Sequence, residues 1–232
     1  VAWLVSNHLD MSTTAQRKDI HDPEVVVEFA QKVASEERLD YLYTLTVADI
    51  NATNPTLWNS WRATLMRRLY FETKKALQRG FSNHAMRTDY INDRKATAYS
   101  ILAEQGMAAH KAERIWNDPG QDFFLRHSGV QIAHITNQIA NHDEQSGPLI
   151  VVLDVVGEVS SEGATEIFLH CRNRTHVFAD SVVTLNHLGL HVVDASIATG
   201  ANDFCFNSYI VLEDDGTPVR KSERKREVHE RL

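Results

Sequence analysis

The hydrophobic pattern changes period at Pro148, and that change bounds what the chain can become. Before it, apolar residues recur at three- and four-residue spacing, as one buried face of a helix requires. After it, Leu149-Ile150-Val151-Val152-Leu153 is an aliphatic, largely β-branched run that suits a strand. Helices gathered first and strands later read as α+β rather than as alternating βαβ units. The chain has 232 residues, 43% hydrophobic and 24% charged, enough for one large or two small domains with a core each. The expected division is a helical domain over 1–117, a helical connection over 118–147 and a β-rich unit over 148–232.

The helical part carries its own punctuation. Asp22-Pro23 opens a helix, Asp as N-cap and Pro in the first turn, where a missing N–H costs nothing. Val26, Phe29, Ala30 and Val33 give it an apolar face. In the segment Leu39 to Ala52, Leu42, Leu45, Thr46 and Asp49 are expected to share a face. Asn54-Pro55 repeats the cap signal, and Trp58, Trp61, Leu65 and Leu69 stripe a helix that Gly80 can end. Residues 88–117 form a second helical stretch, closed by the break Asn117-Asp118-Pro119-Gly120, and Phe123 to His142 continues as a helix.

Beyond Pro148, Ala164 to Cys171 is a second strand, and Thr175 to Leu188 has helical spacing ended by Gly189. Leu190 to Thr199 and Phe204 to Leu212 are strands joined across Gly200-Ala201-Asn202-Asp203, a hairpin signal. Asp214 to Pro218 is a turn before a charged helix. The order β-α-β-β-(α) opens a ferredoxin-like unit, into whose sheet Leu149–Leu153 is free to pair.

Composition removes several functions. A net charge of -7 argues against a broad electrostatic grip on nucleic acid. The basic run Arg220 to Arg226 is interrupted by Glu223 and reads as a solvated helix face. No run reaches the ~18 apolar residues of a membrane span, and no signal peptide opens the chain. Cys171 and Cys205 stand far apart in apolar stretches, as reduced, buried thiols of a cytoplasmic protein would.

Asp49 is the most informative residue for chemistry. It ends an apolar helical stripe, where a buried carboxylate needs a partner or a metal; the plain alternative is a helix-end Asp capping its neighbour. His8 closes another apolar helix and reads equally as a structural His. Together, an imidazole and a carboxylate on adjacent helices could form part of a hard-metal site, although two ligands alone do not make one. His21-Asp22 has the letters of a metal-binding His-Asp pair, but Pro23 follows at once, so Asp22 is assigned to the helix cap.

Longer blocks then carry a resemblance. Val1 to Leu9, Met11-Ser12, Ala15 to Ile20, Leu39 to Tyr43, Leu45 to Ile50, Thr53-Asn54-Pro55, Leu57-Trp58-Asn59-Ser60-Trp61, Phe124 to Ser128 and Gly163 to Gly216 resemble the bifunctional uridylyltransferase/uridylyl-removing enzymes that act on the nitrogen-regulatory protein P-II. The likeness covers nearly the whole chain and is weakest over 85–120. An HD hydrolase of guanosine tetraphosphate coupled to an ACT domain shares the architecture but not the Leu57–Trp61 block.

The resemblance implies a large parent: a nucleotidyltransferase domain using UTP and magnesium, an HD-type hydrolase domain that removes UMP with a divalent metal (Mg or Mn), then two glutamine-sensing ACT domains. This chain would hold the end of the HD domain and most of the first ACT domain, a fragment expected to be inactive alone; the alternative is an amino-acid-sensing ACT module without catalysis. Asp49 matches the last metal-binding Asp of the HD pattern, and His8 a downstream His that binds metal or phosphate. Asn173, Arg174, Thr175, His176 and Val177 match the ACT ligand loop, where a helix N-terminus suits an amino acid's carboxylate. The family usually has an acidic residue where Asn173 stands. Asp194, polar in an apolar strand, joins them as a ligand-binding candidate. Partners implied are P-II, glutamine, UTP and UMP, and a second copy pairing through ACT sheets.

Overall fold

The computed structural model describes residues 1–54, 58–79, 86–156 and 163–232. Two compact units emerge, one built on Val1–Asp89 and the other on Tyr90–Val156 with Ala164–Leu232.

The first unit is helical: α1 (Ala2–Asn7), α2 (Asp10–Arg17), α3 (Pro23–Val33), α4 (Glu36–Thr53) and α5 (Ser60–Arg79). α3 starts as its sequence dictates. Asp22 accepts the Glu24 N–H at 3.0 Å and Pro23 opens the first turn. It ends at Ala34, held left-handed at φ 67°, and Ser35 then caps α4 by accepting the Arg38 N–H at 3.3 Å. α2, α3 and α4 all pack on α5. The shared core holds Met11, Phe29, Leu39, Leu42, Met66 and Leu69, and each such side chain contributes about 1.5–3 kcal/mol on burial. The α4 face is rotated from its expected position: Leu39, Leu42 and Thr46 are buried, while Leu45 and Asp49 are exposed. The buried line runs where α4 meets α5, and Leu45 lies one residue off it. Pro55, Leu57 and Gly80 lie outside the described residues.

The second unit begins with four helices, α6 (Met86–Glu104), α7 (Ala109–Trp116), α8 (Gln121–Arg126) and α9 (Gly129–Asn141). The helical stretch expected over 88–117 consists of two helices, α6 and α7, separated at Gly106 with φ 79°. The helix expected over Phe123–His142 divides at His127-Ser128, because Ser128 and Gln131 form a reciprocal capping box that starts α9 afresh. Gly129, first in α9, lets that helix touch α6: a Cβ there would stand 2.6 Å from Cβ of Thr97.

A four-stranded sheet follows, β1 (Leu149–Val156), β2 (Gly163–Arg172), β3 (Leu190–Ser196) and β4 (Phe204–Glu213), with α10 (Val177–His187) between β2 and β3 and α11 (Ser222–Arg231) at the end. The fold is α+β, helices followed by a ferredoxin-like sheet. Strand order is β1-β2-β4-β3, so Leu149–Val156 does pair into the sheet, at the edge beside β2. Antiparallel register sets Cys171 opposite Cys205 and Phe168 opposite Ser208.

Alternation assigns each face of the sheet. Ile150, Ile167, Leu169, Tyr209 and Val211 pack with Val177, Leu185 and Val228 of α10 and α11. Leu149, Val151, Phe168 and Phe206 pack instead with Trp116, Phe124 and Ile132 of α7–α9. β2 is therefore buried on both faces, which forces its polar residues to find partners. Glu166 does so with His127, whose Nε2 donates to its carboxylate at 2.7 Å while Nδ1 donates to the Phe123 carbonyl at 2.7 Å. Both side chains are nearly inaccessible, at 3% and 6% exposure. Gln131 adds a donor to the other Glu166 oxygen at 3.4 Å. Burial raises the Glu166 pKa, but the His127 charge and hydrogen bond outweigh it, with Ser208 and Arg126 assisting, and hold the carboxyl below its ordinary value.

A lowered folded-state pKa contributes stability above the unfolded carboxyl pKa, and that contribution is lost as pH falls through the folded value. Glu166→Gln should therefore destabilise the second unit by about 3 kcal/mol at pH 7. The deficit should shrink below about pH 4. Amide hydrogen exchange in β2 and β4 measures both, and a deficit independent of pH would contradict the ion-pair account. Gly129→Ala should cost about 1–3 kcal/mol by forcing α9 off Thr97, read as lost exchange protection in α6 and α9.

Candidate functional site

In the first unit, α1 lies on α4. The Thr46 hydroxyl of α4 sits 3.4 Å from the His8 carbonyl and donates to its own Leu42 carbonyl at 2.7 Å. Asp49 follows Thr46 by three residues, the next position along that side of the helix. Its carboxylate is exposed, so no burial cost demands a partner there. His8 caps α1, its Nδ1 donating to the Val5 carbonyl at 2.7 Å, which leaves Nε2 with its lone pair and no protein partner among the described residues. The two candidates thus belong to packed helices, one turn from a shared contact. Among the described residues, no three His, Cys, Asp or Glu form a group suited to a metal. Asp22 of the His21-Asp22 pair is spent on the α3 cap and on Arg87, at 3.4 Å.

In the second unit, the loop from β2 to α10 holds the other candidates. Asn173 is tied to the β3–β4 hairpin, its backbone N–H donating to the Asp203 carbonyl at 2.8 Å and its amide to the Asp203 carboxylate at 3.2 Å. Its carbonyl oxygen accepts from the Cys205 thiol at 3.5 Å. Arg174 pairs with Asp180 at 3.3 Å, both exposed. Thr175 is exposed. His176 precedes α10 at φ 72°, its side chain making no cap bond. Val177 is buried in the core. Asp194 sits at the irregularity in β3, accepting the Ala195 N–H at 2.9 Å and pairing with Arg126 at 3.5 Å.

The structure joins Arg174 and Val177, but not the other loop candidates, to a cavity of about 740 Å³. Arg114, His170, Arg172 and Phe204 also line it. Sequence reasoning missed Arg114, His170 and Phe204, whereas Arg172 opens the loop segment that the resemblance marked. His170 and Arg172 follow Phe168 at two-residue steps, so strand alternation alone could have placed them on the α7–α9 face. Arg114 had no such signal. His170 donates from Nδ1 to the Cys205 carbonyl at 2.9 Å, and burial pushes its pKa down, favouring the neutral ring. The thiols of Cys171 and Cys205 are free; burial raises both, Cys205 to about 11, so neither is an activated nucleophile. No helix among the described residues is long and apolar enough to cross a membrane.

Comparison with known proteins agrees across both units. Residues 86–138 match the family model described as the uridylyltransferase GlnD fifth domain. The chain is 48% identical over 219 residues to a bifunctional uridylyltransferase/uridylyl-removing enzyme of Stutzerimonas stutzeri, covering 94% of this chain and 24% of that protein. The same-named proteins of Azotobacter vinelandii and Pseudomonas putida are 47% and 45% identical over the same shares of each chain. The chain thus spans 24% of the length of these relatives. No solved structure matches it. With 45–48% identity sustained over 94% of its length, the chain belongs to the family of bifunctional uridylyltransferase/uridylyl-removing enzymes.

Proposed function

We propose that this chain is a working part of an enzyme that uridylylates the P-II protein with UTP and removes UMP from it by metal-dependent hydrolysis, under the control of glutamine. The observation that carries this reading is the sustained identity to proteins of that name across both units. On this reading Asp49 and His8 belong to the UMP-removing site. An exposed carboxylate and an imidazole nitrogen with a free lone pair suit a divalent ion such as Mg or Mn, the carboxylate better than the imidazole. When bound, the ion supplies a water of lowered pKa and polarises the phosphodiester. Asp49 would hold it as a charged ligand, and His8 would offer Nε2 to the ion or, protonated, to the phosphate. The Val5 carbonyl orients that imidazole by fixing its Nδ1 proton. The remaining ligands would come from elsewhere in the parent protein.

Glutamine would meet the β2–α10 loop, its carboxylate at the free N–H groups that open α10. Asn173 cannot supply the negative charge the family usually places there, and its amide is already committed to Asp203. A family-like Asn173→Asp change would set two carboxylates together, so the ammonium of a bound amino acid would have more to neutralise.

In the full-length enzyme, Asp49→Ala should lower release of UMP from uridylylated P-II by about a hundredfold or more. Because Asp49 is exposed, stability should change by less than about 0.5 kcal/mol. Single-turnover release assays alongside thermal melts test this; wild-type release would remove Asp49 from the site. Asn173→Asp should weaken the loop by about 1 kcal/mol without glutamine and recover part of it at millimolar glutamine. Thermal shift measures both conditions, and an equal loss in each would argue against glutamine at this loop.

A further inference from the structure

The cavity at the C-terminal end of β2 presents groups that neither the His8–Asp49 pair nor the Asn173–Val177 loop uses. Its volume of about 740 Å³ is ample for a small organic molecule. Ile115, Ile139, Phe204 and Phe206 give it an apolar wall. Of its charged groups, Arg174 is answered by Asp180 at 3.3 Å, and Asp118 accepts the Asn202 N–H at 2.7 Å. Arg114, Arg172, Asp118 and Glu144 have no ion pair among the described residues; the lining charges balance, but the two arginines are not neutralised by a direct contact.

Two of the polar groups are held in place before any ligand arrives. The Arg172 guanidinium lies 5.1 Å from the centre of the Phe204 ring, and the His170 ring stacks on that same ring at 5.0 Å and 19°. His170 is 9% exposed, and its Nδ1 proton is committed to the Cys205 carbonyl. Nε2 therefore carries a lone pair, with no protein donor to it among the described residues. Nε2 is open to the cavity, so a donor on a ligand can reach it directly. Fixed side chains also lose little freedom on binding, which favours affinity.

We propose that this cavity binds a small organic anion, its oxyanion held by Arg114 and Arg172, its body against Phe204 and Ile139, and an N–H or O–H of that body donated to Nε2 of His170. Carboxylates and phosphate esters share this chemistry. The proposal does not depend on the uridylyl reading, because it concerns binding to the second unit alone. The carboxylates of Asp118, Glu144 and Asp180 in the lining disfavour ligands of high negative charge.

The test uses the full chain with 4-hydroxybenzoate, benzoate and 4-aminophenyl phosphate, followed by titration and by the imidazole nitrogen resonances of the histidines. At least one of the two donor-bearing probes should bind with a millimolar or tighter Kd and move the His170 Nε2 resonance. Which of them binds tighter identifies the preferred head group. If 4-hydroxybenzoate binds, benzoate, which lacks the donor, should bind several-fold more weakly. Arg172→Gln and the exposed Arg114→Gln should each weaken binding about tenfold. Thermal melts confirm that each variant is folded. No movement of His170 with either donor-bearing probe at about 10 mM, or wild-type affinity in folded Arg172→Gln, would overturn the proposal.

Discussion

The second unit depends on a strand that has nowhere to put a polar group. β2 is covered by α10 and α11 on one face and by α7–α9 on the other, yet Glu166 lies in its middle at 4% exposure. An isolated carboxylate there would be neutralised or would open the fold. His127 resolves the conflict because its two nitrogens face two acceptors, the Phe123 carbonyl and the Glu166 carboxylate. The ring bearing both protons satisfies both, and its charge meets the carboxylate. The pair also decides how the helical layer sits on the sheet. Apolar packing of Phe123, Phe168 and Phe206 is tolerant of sliding, whereas a 2.7 Å hydrogen bond is not.

The junction that carries His127 is built for this purpose. Arg94 of α6 donates to the carbonyls of Leu125, at 3.1 Å, and of His127. Those carbonyls end α8 and would otherwise lack partners. Ser128 and Gln131 then start α9, and Gly129 lets it close on α6. The break between α8 and α9 is thus what places His127 against β2. A second contact of the same kind lies at the other end of the sheet. Asp118 reaches the β3–β4 hairpin, accepting the Asn202 N–H, and Gly200 leaves room for it: a Cβ there would meet that carboxylate at 2.6 Å.

Much of this was legible in the sequence where one local rule governs. Asp22-Pro23 read as a cap and is one; the Gly200–Asp203 hairpin, the Gly189 stop and the strand Leu149–Leu153 were equally local. What failed was anything set by a partner distant in sequence. The buried face of α4 is fixed by α5, and one residue of rotation moves Leu45 and Asp49 into solvent. The α8–α9 break was overlooked in the segment Phe123–His142, although Ser128 three residues before Gln131 was its signal. Glu166 and His170 were not singled out, because a charged residue in a strand reads as solvent-facing unless both faces are known to be covered. The loop candidates were found by resemblance, and geometry alone distinguishes Arg174 and Val177, which reach the cavity, from Asn173, which serves the hairpin.

Glu166 and His170 lie on one face of β2, with Phe168 between them. One is answered by the helical layer and the other stands open to the cavity. The walls of that cavity come from α7 and α9 as well as from β2 and β4. An occupant would therefore touch both layers that the His127–Glu166 pair joins. Whatever binds the folded unit and not the unfolded chain stabilises it in proportion to the logarithm of its concentration over Kd. At this place that free energy would act on the joint between helices and sheet rather than on either alone. The same end of β2 leads directly into Asn173 and α10, so the geometry of the loop is set by a strand whose other neighbours are the cavity and the buried ion pair.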